Sequence, residues 1–140
     1  MEVVCVDASL ALSWVLPMDT SAASDGLFQA WAMKGAALIG PPLLLAEAVS
    51  VIRNKVYRRI LTPAEGDAAL ELFFSFGLEA RAPAGLQRLA FTLATELHRP
   101  QTYDAQYVAL ARLEGCELWT ADRRLHAAFS PRFSWVKLVQ

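Results

Sequence analysis

Val3-Val4-Cys5-Val6-Asp7-Ala8-Ser9 is the stretch on which the fold turns. Its first four residues form a continuous apolar run rich in β-branched side chains. Such a run predicts a strand buried on both faces, because a strand with one wet face would alternate apolar and polar residues. Asp7-Ala8-Ser9 then offers helix-capping chemistry, and Leu10 to Leu16 reads as a short helix stopped at Pro17. A buried strand that runs directly into a helix is how parallel α/β sheets begin.

The rest of the chain continues the alternation. Asp19 to Lys34 reads as a helix, with Thr20 or Ser21 as its cap. Ala36 to Ile39 is a strand ended by Gly40-Pro41-Pro42, and a helix runs from about Leu43 to Arg59, with Pro42 suited to its first turn. Thr62-Pro63-Ala64-Glu65 is a capping box with proline at the first helical position, which opens a helix to about Phe76. Leu78 to Ala82 is a weaker strand, followed by helices from Leu86 to His98 and from Tyr103 to Glu114, the latter closed by Gly115. Glu117 to Thr120 is a strand, Asp122 to Phe129 a short helix and Trp135 to Val139 a last strand. The pattern predicts an α/β fold of three α/β/α layers around a central parallel sheet of four to five strands, in one domain over residues 1–140.

Composition narrows the classes. The chain has 55% hydrophobic and 19% charged residues, a balance that excludes disorder and implies apolar surface buried against a partner. Its net charge of -1 gives no global attraction to nucleic acid, so any such binding needs a local basic patch. No run approaches the roughly 20 apolar residues of a membrane span. Met1-Glu2 leads directly into the first strand without a secretory pattern, so the expected location is the cytoplasm. Cys5 and Cys116 both sit in short apolar runs and read as buried thiols, with a pairing across adjacent strands left open. His98 and His126 read as surface or helix-end residues rather than ligands.

The acids carry the chemical signal. Asp7 is the lone charge between Val3 and Met18, at the carboxyl end of a buried strand, where open α/β sheets place ligands. Capping of the next helix would explain it equally well. Glu47 is the lone charge between Gly35 and Ile52, and its helical face is shared with Leu43, Leu44, Ser50 and Val51. A core-facing stripe of that kind would turn Glu47 inward or into a cleft. A buried carboxylate needs a partner, either a metal or a distant arginine. Asp104 stands alone between Pro100 and Ala111 at the start of a helix, where it could be a cap. Asp122 follows the strand Leu118-Trp119-Thr120 and precedes Arg123 and Arg124.

Four carboxylates brought together without a cation raise one another's pKa by repulsion and desolvation. Hard divalent cations resolve that conflict, and an all-oxygen donor set selects Mg²⁺ or Mn²⁺ over zinc. Such ions serve phosphodiester hydrolysis. No serine or cysteine nucleophile pairs with a histidine base, and no phosphate-binding loop or dinucleotide fingerprint is present.

Val4-Cys5-Val6-Asp7-Ala8-Ser9, Glu47 early in a helix after Pro41-Pro42, Tyr103-Asp104-Ala105 and Leu118-Trp119-Thr120-Ala121-Asp122 together resemble a PIN-domain nuclease. More narrowly they resemble the VapC toxins of toxin–antitoxin pairs. The resemblance covers essentially the whole chain and is weakest from Gly77 to Gly85. It implies that Asp7, Glu47, Asp104 and Asp122 form a catalytic, metal-binding acidic quartet. Ser9 and Thr120 would support that site or its water. It further implies a Mg²⁺- or Mn²⁺-dependent endoribonuclease, a homodimer, an RNA substrate and a cognate antitoxin that covers the groove.

Arg123 and Arg124 follow a site acid and are candidate phosphate contacts. Lys55, Arg58 and Arg59 read as one basic helical face, either solvated or contacting RNA or antitoxin. Trp14, Trp31, Leu27 and Phe28 are core residues or an exposed groove. Other readings are a PIN nuclease of RNA processing without an antitoxin, a binding module with a degenerate site, and an aspartyl phosphotransferase. The last lacks an aspartate two residues after Asp7, where Ser9 stands.

Overall fold

A computed structural model describes residues 2–140. The element order is β1 (Val3–Val6), α1 (Ala8–Ser13), α2 (Ser21–Lys34), β2 (Ala37–Gly40), α3 (Leu43–Tyr57), α4 (Pro63–Ser75), β3 (Glu79–Ala80), α5 (Leu86–Glu96), α6 (Tyr103–Glu114), β4 (Glu117–Thr120), α7 (Arg123–Phe129) and β5 (Val136–Leu138). The strands form one five-stranded sheet in the order β3-β2-β1-β4-β5, with every neighbouring pair parallel. Helices flank it, as the alternating pattern predicts. No helix is long and apolar enough to cross a membrane.

β1 is the central strand, and its wholly apolar run loses water on both faces without cost. Cys5 lies beside Ile39 of β2 on one side and Leu118 of β4 on the other, and all three are fully buried. Behind the sheet, α6 buries an unbroken run from Ala105 to Ala111 and packs closely on α5 through Leu86, Ala90, Leu93 and Ala94. The alanines let the two helices approach one another and the strands.

Trp14, Phe28, Trp31 and Phe76 are core, not groove. Trp14 meets Phe28 and Phe76 edge-on at 4.8 and 5.6 Å, and Trp31 meets Trp119 of β4 at 6.0 Å. The indole N–H of Trp14 donates to the Ser24 carbonyl, so the buried ring leaves no polar atom unpaired. Leu27 is partly buried against the same core.

Several expected boundaries shift for local reasons. α1 ends at Ser13 rather than at Leu16, the residue before Pro17. α2 starts at Ser21, not Asp19, because the Ser21 hydroxyl accepts from the Met18 amide and closes the preceding turn. α3 ends at Tyr57 and α5 at Glu96, each about two residues early, with Arg59 and His98 in the left-handed region. Arg58 and Arg59 therefore lie beyond the helix and do not share a face with Lys55. The β3 strand shrinks from Leu78–Ala82 to Glu79–Ala80, since an exposed edge has one neighbour only, although Arg81 N still donates to Gly40 O at 2.9 Å. The capping box is present as expected, with Thr62 and Glu65 bonding each other's backbone amides at 2.9 and 3.1 Å. Cys5 and Cys116 are both free thiols.

Helical glycines separate packing from propensity. A Cβ on Gly66 would sit 2.3 Å from Cγ2 of Val56, a stiff branched side chain where α3 crosses α4, whereas one on Gly26 would meet nothing within 4 Å. Gly66→Ala should lose about 1–3 kcal/mol by overpacking, despite alanine's better helix propensity. Gly26→Ala should gain about 0.5–1 kcal/mol. Denaturant unfolding of the two variants measures both signs.

Candidate active site

Parallel strands put all their carboxyl ends on one edge, and three of the four acids reach that edge from different strands. Asp7 ends β1, Asp122 follows β4, and Glu47 sits in the second turn of α3, which departs from β2. α6 runs back toward β4, so its first turn brings Asp104 to the same edge. A cavity of about 340 Å³ opens there, lined by all four acids together with Ser9, Tyr107 and Lys55. Its other wall is apolar: Leu12, Leu16, Pro17, Met18 and Val51.

Asp7 is buried, at 4% exposure, and every bond to it comes from a neutral donor. Leu10 N donates to Oδ1 at 3.0 Å, Thr120 Oγ donates to Oδ2 at 2.6 Å, and the Ser9 hydroxyl lies 2.8 and 2.9 Å from the two oxygens. Asp7 thus both caps α1 and lines the cavity. The hydroxyls are themselves held, Ser9 accepting from Ala121 N at 3.0 Å and Thr120 accepting from Asp122 N at 2.9 Å. Burial pushes the Asp7 carboxyl up to about 6, and the charge of Asp122 adds to this against the lowering effect of the hydrogen bonds.

Glu47 stands on the shoulder of α3. The buried stripe of this helix is Leu44, Ala48 and Ile52, so the expected core-facing stripe through Ser50 and Val51 is wrong by a fraction of a turn. Glu47 is half-buried and faces the cleft. Its partner is not a distant arginine but Tyr107, whose hydroxyl donates to Glu47 Oε1. Desolvation raises the Glu47 pKa and Asp104 adds to the rise, while the tyrosine bond opposes it.

Asp104 does not cap α6, which has no side-chain cap bond. The half-buried carboxylate has no hydrogen bond or ion pair to a described residue; desolvation and the charge of Asp122 raise its pKa, and the nearby charge of Arg99 opposes the rise. Asp122 does cap α7, with Oδ1 accepting from Arg124 N and Leu125 N at 2.8 and 3.4 Å. Arg123 and Arg124 are exposed beside it and form no ion pair with a described residue.

Among the described residues, no three His, Cys, Asp or Glu groups close into a metal cage. The donor set nevertheless suits a hard cation. It consists of carboxylate oxygens held by neutral donors, and one carboxylate, Asp104, has no partner among the described residues. Mg²⁺ keeps several waters and binds through few carboxylates, which such an open set allows. Tyr107 lines the same cavity and was not singled out by the sequence reading. Its signal was a position three residues after Asp104, on the same helical face.

Residues 4–129 match the PIN domain, and the chain belongs to the PIN domain family. It is similar to a VapC ribonuclease of Mycobacterium bovis and to ribonuclease VapC9 of Mycobacterium tuberculosis, each 33% identical over 123 residues, which are 87% of this chain and 87% of the relative. Two solved structures share the fold. PAE2754 from Pyrobaculum aerophilum has a TM-score of 0.66 at 23% identity, over 91% of this chain and 86% of its own. The Mycobacterium tuberculosis toxin VapC20, described as cleaving the sarcin-ricin loop, has a TM-score of 0.64 at 17% identity, over 90% and 95%.

The raised Asp7 pKa sets a pH dependence. The folded value of about 6 lies above the ordinary 3.8, so the folded state takes up a proton. That contribution to stability is complete below about pH 4 and is lost as pH rises through 6, on the order of 3 kcal/mol in total. Asp7→Asn removes the buried charge. In EDTA, thermal unfolding should show the variant more stable than wild type at pH 7.5, with the advantage shrinking as pH falls through 6 and vanishing near pH 4.

Proposed function

We propose that this chain, as one domain over residues 1–140, is a VapC-type endoribonuclease that hydrolyses RNA phosphodiester bonds with Mg²⁺ or Mn²⁺. We propose also that it acts in the cytoplasm as a homodimer paired with a cognate antitoxin. The observation that carries the reading is the convergence of Asp7, Glu47, Asp104 and Asp122 on one cleft at the carboxyl edge of the sheet. No lysine or arginine among the described residues forms an ion pair with any of them. Membership of the PIN domain family and the curated VapC ribonuclease relatives support the same reading.

Asp7, Asp104 and Asp122 are the acids assigned to hold the cation, with Glu47 beside them to bind it or to position water. When bound, the cation would neutralise the cleft, orient the phosphate and favour the hydroxide form of water. The chain's own residues do the rest. Ser9 and Thr120 fix both oxygens of Asp7, so its carboxylate faces the cleft in one orientation. The α7 amides do the same for Asp122 through one oxygen and leave the other outward. Glu47 can accept a proton from an attacking water placed in line with the leaving oxygen. Arg123 and Arg124 are exposed directly after Asp122 and are the phosphate contacts of this reading.

The test is cleavage of RNA by the purified chain with and without divalent ions. Activity should require Mg²⁺ or Mn²⁺ and vanish in EDTA. Asp104→Asn should lose on the order of 100-fold or more while keeping wild-type stability, since that carboxylate holds nothing in the fold. Thr120→Val should lose about 10- to 100-fold as a support of Asp7. Arg124→Ala should raise KM and flatten the salt dependence of binding with little effect on kcat. Wild-type cleavage by Asp104→Asn would overturn the assignment. The antitoxin pairing is checked by whether a co-expressed small DNA-binding protein from an adjacent gene copurifies with the chain and suppresses cleavage.

A further inference from the structure

We propose that Tyr107 is a positioning residue that acts through Glu47, fixing which carboxylate oxygen of Glu47 faces the cleft. The inference rests on the nuclease reading above and extends it to a residue outside the acidic quartet. Tyr107 is 1% exposed, yet its hydroxyl reaches the wall of the cavity that the four acids line. There it donates to Oε1 of Glu47, and Glu47 has no other described hydrogen-bond partner. Glu47 lies on α3 and Tyr107 on α6, so this one bond joins the two helices that bring Glu47 and Asp104 to the site.

Three features make Tyr107 a stiff support. Its ring is locked in the core, with only two side-chain torsions, and residues on both sides of it in α6 are buried. Its backbone carbonyl accepts from the Cys5 thiol at 3.7 Å, which ties it to β1 two residues before Asp7. It follows Asp104 by three positions, so one helical face presents an acid and a donor to the same cavity. A hydroxyl donating to Oε1 leaves Oε2 as the free oxygen of Glu47. A glutamate on a helix shoulder would otherwise sample several rotamers, and ordering it at the moment of binding or reaction has an entropic cost. Tyr107 removes most of that freedom beforehand.

A buried tyrosine usually finds some partner for its hydroxyl, so the competing reading is a satisfied core residue with no part in function. The two readings differ in coupling. The experiment compares wild type, Tyr107→Phe, Glu47→Gln and the double variant, with two readouts. One is Mn²⁺ binding followed by calorimetry without RNA, and the other is steady-state cleavage of an RNA oligonucleotide.

Tyr107→Phe should stay folded, weaken Mn²⁺ binding several-fold and lower kcat about 10- to 100-fold with KM for RNA little changed. In the Glu47→Gln background the same substitution should change neither quantity by more than about two-fold, because the group it acts through is already gone. Wild-type Mn²⁺ affinity in Tyr107→Phe, or an equal loss in both backgrounds, would overturn the proposal. Should wild type bind Mn²⁺ but cleave no RNA, the nuclease reading fails. The calorimetric cycle still decides the role of Tyr107 in that case.

Discussion

The structure is organised around one unfavourable act, the burial of the Asp7 carboxylate at the end of the central strand. An isolated charge in that position would be expelled or protonated. It is retained because three neutral donors meet it: a backbone amide of α1 and the hydroxyls of Ser9 and Thr120. Two of these donors come from the first turn of α1, the helix that follows β1, and the third from the neighbouring strand β4. The register of β1 against β4 is therefore tied to the electrostatics of the site. If β4 slipped by one residue, Thr120 would turn to the opposite face and Asp7 would lose its shortest hydrogen bond.

Among the described residues no ion pair reaches any of the four acids, and this gives the cleft its character. The four acids are held by hydroxyls, a phenol and backbone amides, or in the case of Asp104 by nothing among the described residues. Lys55 is the single cation among the described cavity-lining residues. Neutral donors orient a carboxylate without cancelling its charge, so orientation is achieved while the negative potential is kept. Salt bridges to arginine would have oriented the acids equally well and removed the attraction for a divalent ion. The surface arginine pairs that do exist, Arg81 with Glu79 and Glu114 and Arg132 with Glu96, involve none of these four acids.

Much of this was legible in the sequence, for identifiable reasons. β1 declared itself by four consecutive apolar residues, α4 by its capping box and α6 by Gly115, whose left-handed conformation ends the helix. The isolation of Asp7, Glu47 and Asp104 among apolar neighbours marked them as exceptional before any fold was known. What the pattern could not resolve depends on long-range packing. β3 is two residues long because nothing pairs with its outer side. Glu47 faces the cleft as expected, but Ser50 and Val51 of its expected stripe are exposed because Ala48 and Ile52 take the core side with Leu44. The bond from Tyr107 spans 60 positions, and no local spacing encodes it.

The hydrogen bond between Thr120 and Asp7 closes a loop of 113 residues. Asp7 is made 113 residues before the hydroxyl that holds it. An N-terminal fragment that stops before β4 has the acid but neither the hydroxyl that holds it nor Asp122. During synthesis the growing chain therefore passes through all the intervening residues without an assembled cleft. The cleft is completed in a single step, when β4 docks against the first strand.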